Sequence, residues 1–182
     1  MAPRKNSGIH KRRALVFGRF QPFHYGHLMV INWALSLFDE IVILVGMADE
    51  SHTLQNPFTA GERIWMIREA LRDEGIDLTR IVTATIPTMS IYVGNALYVI
   101  KLVPPVEAII TRNPVTAQVF REAGLKVLVP PPYNRDIYRG SYIRELIIKG
   151  DERWRKLVPP VVAEIIDSID GVSRLRNIAR YD

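Results

Sequence analysis

The chain has no cysteine, which excludes disulfides, thiolate metal sites and cysteine nucleophiles. It also lacks the roughly 18-residue apolar run that a membrane-spanning helix requires, although 48% of its residues are hydrophobic. The basic N-terminus is not followed by an apolar segment of the secretory kind. These absences predict a cytoplasmic protein with no membrane association. No group of Asp and Glu is arranged as a metal cage, so no protein metal site is expected. No internal repeat and no linker divide the chain.

Charge of one sign is only in moderate excess, at a formal +5, and much of it sits in Arg4, Lys5, Lys11, Arg12 and Arg13. That cluster reads as a solvated, flexible arm over residues 1–12 rather than a nucleic-acid contact. What remains, residues 13–182, is long enough for one domain with a hydrophobic core.

The organising stretch runs Val16-Phe-Gly-Arg-Phe-Gln-Pro-Phe-His-Tyr-Gly-His-Leu28. Ala14 to Phe17 reads as a buried strand that Gly18 ends. After a short loop with Arg19, Phe20 and Gln21, the residues Leu28, Ile31, Leu35 and Phe38 recur at helical spacing. A strand, a glycine turn and a helix N-terminus make an anion site, because the first-turn N–H groups are unpaired. His24 and His27 can both reach a phosphate held there, and Gly26 leaves room for it.

Downstream, apolar runs at Ile41–Val45, Arg80–Ala84, Ala108–Ile110 and Lys126–Val129 read as further strands. Helical patterns separate them. Thr59 and Glu62 form a capping box ahead of a helix that buries Ile64, Ile67 and Leu71, with Trp65 and Met66 widening the stripe. Gly75 closes that helix. Strict alternation of strand and helix predicts an α/β fold: one doubly wound, Rossmann-like parallel sheet with helices on both faces. Two more helices are expected near the end. One contains Val162, Ile165, Ile166 and Ile169; the other follows Gly171 and carries Arg174, Arg176 and Arg180.

A second anion site is expected at Arg139-Gly140-Ser141-Tyr142-Ile143-Arg144. Here small residues open a helix, and Arg144 lies one turn in with a fork suited to phosphate.

Together these strings resemble the two signatures of the His-x-Gly-His nucleotidyltransferase superfamily. The longer string Gly18-Arg-Phe-Gln-Pro-Phe-His-Tyr-Gly-His27 resembles its archaeal-type nicotinamide-nucleotide adenylyltransferases. Segments around Ser51–Thr53, Asn56–Arg63, Gly94–Tyr98 and Arg112–Pro114 look like the same family. The resemblance implies an enzyme that joins ATP and nicotinamide mononucleotide (NMN) into NAD and pyrophosphate, with Mg²⁺ held mainly by the ATP phosphates. It implies catalytic roles for Arg19, His24, His27 and Arg144. It implies ATP contacts by Gly18, Phe20, Gln21, Gly26, Arg112, Asn113, Arg139, Gly140 and Ser141 in addition to those four. Asn95 and Tyr98 would read the nicotinamide, and the assembly would be a hexamer. Arg139 departs from the family's serine, which leaves open a hydrogen bond, a charge contact or a side chain pointing away. Phosphopantetheine, cytidylyl or flavin-nucleotide transfer by the same signatures stays open, as does a nucleotide-sensing protein without turnover.

Overall fold

The computed structural model describes residues 11–90 and 92–181. Most of the predicted basic arm, including Arg4 and Lys5, lies outside the described residues. Its described end is tied down: Lys11 bonds Glu40 at 2.6 Å, and Arg13 pairs with the same carboxylate. Arg13 does not precede the first strand but opens it.

Five strands form one parallel sheet: β1 (Arg13–Gly18), β2 (Glu40–Val45), β3 (Ile81–Thr85), β4 (Ala108–Ile110) and β5 (Lys126–Leu128). Their order is β3-β2-β1-β4-β5, so the chain winds outward from β1 in both directions. Between and after the strands come α1 (Tyr25–Leu37), α2 (Ala60–Asp73), α3 (Val93–Leu102), α4 (Pro114–Glu122), α5 (Gly140–Lys149), α6 (Pro160–Ser168) and α7 (Gly171–Tyr181).

Alternation along the strands sorts the core into two layers. Ala14, Val16, Ile41 and Ile43 face Leu28, Met66, Ile143 and Ile166, from α1, α2, α5 and α6. Leu15, Val42, Leu44 and Ile109 face Ala96, Val99 and Phe120, from α3 and α4. Strands buried on both faces read as continuous apolar runs, and all six residues of β2 are buried.

Two expectations change. Trp65 is 45% exposed, whereas Met66 is fully buried. The face of α2 that turns inward is set by Arg63, Met66, Ile67, Ala70 and Leu71, and Trp65 lies beside it rather than on it. Gly171 is not a separator: it is buried inside the first turn of α7, where a Cβ would stand 2.9 Å from both the Ile166 carbonyl and the Phe58 ring.

Candidate active site

The topological switch lies between β1 and β4, where successive connections leave in opposite directions. A cavity of about 320 Å³ opens there beyond the strand ends, as expected for ligand sites in such sheets. Gly18 from β1, Arg112 and Asn113 after β4, Gly26, and the Tyr133–Gly140 side of the following loop line it. A second cavity of about 230 Å³ adjoins it and is lined by Arg19, Gln21, Ser141 and Arg144. The two share Phe20, His24, His27, Arg139 and Gly140. All thirteen residues assigned to ATP therefore fall on one continuous hollow.

His24 caps α1, and His27 sits three residues in. Their rings stack at 3.6 Å between centroids and 22° between planes, with Phe20 packed on His27 at 4.8 Å. The His24 N–H donates to His27 Nδ1 at 3.3 Å, which leaves the proton of a neutral His27 on Nε2. Burial pushes both imidazoles down, His24 to about 3 and His27 well below its ordinary value, so at neutral pH they are uncharged donors. Gly26 is required by this stack: a Cβ there would sit 3.0 Å from both the His24 ring and Tyr138 Cβ.

The depressed histidines have a stability consequence with a definite sign. Between pH 6.5 and about 3 the unfolded chain takes up a proton on His24 that the folded chain refuses. Stability is therefore complete above pH 6.5 and lost as pH falls. Melting temperature should decline from pH 6.5 to 5, before carboxylates titrate, and His24→Asn should flatten that slope. A slope unchanged in the variant would contradict the assignment.

Arg144 is buried and donates from Nε to the Leu54 carbonyl at 2.8 Å and from Nη1 to the Gln21 carbonyl at 2.7 Å. Burial, with Arg19 nearby, lowers its pKa to about 10, so it remains charged at neutral pH. Among the described residues only Nη2 is left without a protein acceptor. Gly140 allows this packing, since a Cβ would meet the Gln21 carbonyl oxygen at 2.7 Å. Arg139 caps α5 without a side-chain cap bond, so the first-turn N–H groups stay open, and its guanidinium stands 5.9 Å over the Tyr142 ring. Arg19 is exposed, with no side-chain partner among the described residues.

Gln21 has a different use from the others. Its amide exchanges two hydrogen bonds with the Phe58 backbone, at 2.8 and 3.0 Å, so its side chain braces the loop rather than facing a ligand. Arg112 donates to the Pro130 carbonyl, and Asn113 caps α4 through Val115 and Thr116.

A small apolar hollow of about 30 Å³ opens on the far side of Phe17, which also lines the large cavity. Asn95 lines it and Tyr98 does not: Tyr98 is 50% exposed on the outer side of α3. Met89 and Tyr92 stand there instead. Their loop carries no periodic pattern, so nothing in the sequence marked them. The sequence does not single out Arg63, because a charged residue in a capped helix reads as surface, yet it is fully buried.

A family model described as cytidylyltransferase-like matches residues 15–146, from within β1 to within α5, and includes both signature strings. The chain belongs to this family. Nicotinamide-nucleotide adenylyltransferases of Saccharolobus solfataricus and Ignicoccus hospitalis are 51% and 49% identical to it. The alignments cover 93% of this chain in each case, and 98% and 99% of the relatives. A bifunctional NMN adenylyltransferase/ADP ribose pyrophosphatase from Francisella tularensis shares the fold at a TM-score of 0.75 and 21% identity, over 94% of this chain and 54% of that one. The family member described here thus keeps both signature strings on one hollow at the switch point.

Proposed function

We propose that the protein transfers AMP from ATP to nicotinamide mononucleotide, forming NAD and releasing pyrophosphate. The observation that carries this reading is the pair of adjoining hollows at the switch point, a roomy one and a cation-lined one sharing its histidines, with a small apolar hollow across Phe17. Adenosine is assigned to the first and the triphosphate to the second; the nicotinamide is assigned to the Asn95 side, where the apolar hollow of about 30 Å³ has to widen to admit the ring. The names of the 49–51% identical relatives support the same assignment.

In the reaction an oxygen of the mononucleotide's phosphate attacks the α-phosphorus in line, and the bond to pyrophosphate breaks. The attacking phosphate is already ionised, so no side-chain nucleophile is needed, and catalysis is positioning plus charge stabilisation. His27 Nε2–H, Arg144 Nη2, the Arg19 guanidinium and the open N–H groups of Gly140 and Ser141 supply the donors. Neither phosphate-side cavity is lined by a carboxylate, and among the described residues no group of three or more His, Cys, Asp or Glu could hold a metal. Magnesium therefore enters with ATP, as part of the substrate, held by phosphate oxygens and water.

Asn95 gives the nicotinamide side its selectivity. Its Nδ2 donates to the Ser90 carbonyl at 2.6 Å, which leaves Oδ1 as an acceptor. A carboxamide offers that acceptor an N–H, whereas a carboxylate offers only another acceptor, and no cation lines the hollow. Unpaired buried polar groups cost about 1–3 kcal/mol, so NMN should be preferred over nicotinate mononucleotide by roughly tenfold or more. Kinetics with both mononucleotides test this. Equal use, or a preference that survives Asn95→Ala, would contradict it. Stacking on the ring falls to Tyr92 by position, while Tyr98 joins Leu97 and Leu102 in an exposed apolar stripe on α3. That stripe supports a homo-oligomer, of which the family's hexamer is one form. The absence of cysteine and the ATP substrate support a cytoplasmic location. No helix among the described residues is long and apolar enough to cross a membrane.

A further inference from the structure

Arg63 is completely buried on the inner face of α2 and has no carboxylate within ion-pair distance among the described residues. Its donors go instead to backbone carbonyls: Nε to Thr59 at 3.1 Å, Nη1 to Arg19 at 2.9 Å and Gly46 at 2.7 Å, and Nη2 to Met47 at 2.9 Å. One guanidinium thereby joins the loop after β1, the end of β2 and the start of α2. Burial disfavours its charge, and Arg19 adds to the cost. Buried cations are poor stabilisers compared with apolar residues of similar volume, so packing alone gives no reason to keep one here.

The loop it holds is strained. Phe20 has φ +55°, in the left-handed region that a bulky residue avoids. The carbonyls on either side of it are taken by two different buried arginines, that of Arg19 by Arg63 and that of Gln21 by Arg144. The peptide unit is planar and trans, so fixing the Arg19 C=O toward Arg63 turns the Phe20 N–H the opposite way. That N–H has no backbone acceptor among the described residues. Arg19 and Phe20 both line the cation-rich cavity.

We propose that Arg63 is the positioning residue of the phosphate site: by pinning the Arg19 carbonyl to the ends of β1 and β2, it fixes the Phe20 N–H and the Arg19 guanidinium where the triphosphate meets them. Arg63 itself touches no substrate. The inference rests on the reading of that cavity as the triphosphate site.

Two variants test it. Arg63→Lys keeps the charge but has one nitrogen for carbonyls on three segments, and Arg63→Gln removes the charge. Each is compared with the parent protein at a temperature where thermal melting shows it folded. ATP binding is followed by calorimetry and by the Phe20 amide resonance in ¹⁵N-phenylalanine-labelled protein. Turnover with ATP, Mg²⁺ and NMN is followed by pyrophosphate release. In a folded variant the ATP-induced shift of the Phe20 amide should vanish and kcat should fall by about tenfold or more, while KM for both substrates moves less than about threefold. An unaltered Phe20 shift, an unaltered kcat, or a raised KM with normal kcat would each overturn the proposal. So would failure of both variants to fold, which would make Arg63 a stability residue only. The amide measurement needs no mononucleotide, so a parent protein that shows the shift but makes no dinucleotide would contradict the transfer reading alone.

Discussion

Replacing His27 with alanine is expected to lower kcat by about 10²–10³ while leaving the fold intact. The magnitude is that of removing one preorganised donor from a site where charge develops on a phosphate oxygen. The donor is specific: Nδ1 is already occupied by the His24 N–H, so only Nε2–H is available to a ligand. Because burial keeps the ring neutral, the loss is of a hydrogen bond and not of a charge. The KM for ATP should therefore rise much less than kcat falls. The alanine leaves room beside Phe20 and Phe23, whose rings pack on His27 at 4.8 and 5.6 Å, so a modest drop in melting temperature accompanies it. Steady-state kinetics with a thermal melt on the same sample checks both. A near-normal kcat, or activity lost only in step with folded fraction, would make His27 a packing residue.

Arg144→Lys should be the more damaging change, because Arg144 does two jobs. Its Nη2 is free for a phosphate oxygen, whereas Nε and Nη1 hold the carbonyls of Leu54 and Gln21. A lysine keeps the charge, but its single nitrogen cannot serve both carbonyls and a ligand. A buried carbonyl left unpaired costs about 1–3 kcal/mol. Melting temperature should fall by several degrees, and at a temperature where the variant is folded kcat should fall more than KM for ATP rises. A raised KM with unchanged kcat would make Arg144 a ground-state contact, and an unchanged melting temperature would contradict its bracing role.

The strands and most helix starts were legible in the sequence, as were the two strings that line the hollow, because each rests on local physics. Buried parallel strands are apolar throughout, Thr59 and Glu62 close a capping box that the structure shows on α2, and helix-opening small residues expose N–H donors. What escaped depends on contacts distant in the chain. The side chain of Gln21 is spent on Phe58, 37 residues away, and Arg144 bonds Gln21 across 123 residues. Arg63 is buried because the loop after β1 and the end of β2 both converge on α2, which no periodicity encodes. Trp65 misled for the opposite reason: size and aromaticity suggest burial, but a helix turns residues outward by 100° per position regardless of what they are.

The central claim is that ATP is cleaved between its α- and β-phosphates, with the α-phosphoryl going to a mononucleotide. Tracing labelled ATP tests it directly. The protein is incubated with Mg²⁺, nicotinamide mononucleotide and ATP labelled at either the α- or the γ-position, and the products are separated. The α-label should appear in NAD and the γ-label in pyrophosphate, in equal amounts. A γ-label found in orthophosphate or on the mononucleotide, or ATP bound and left intact, would contradict the account.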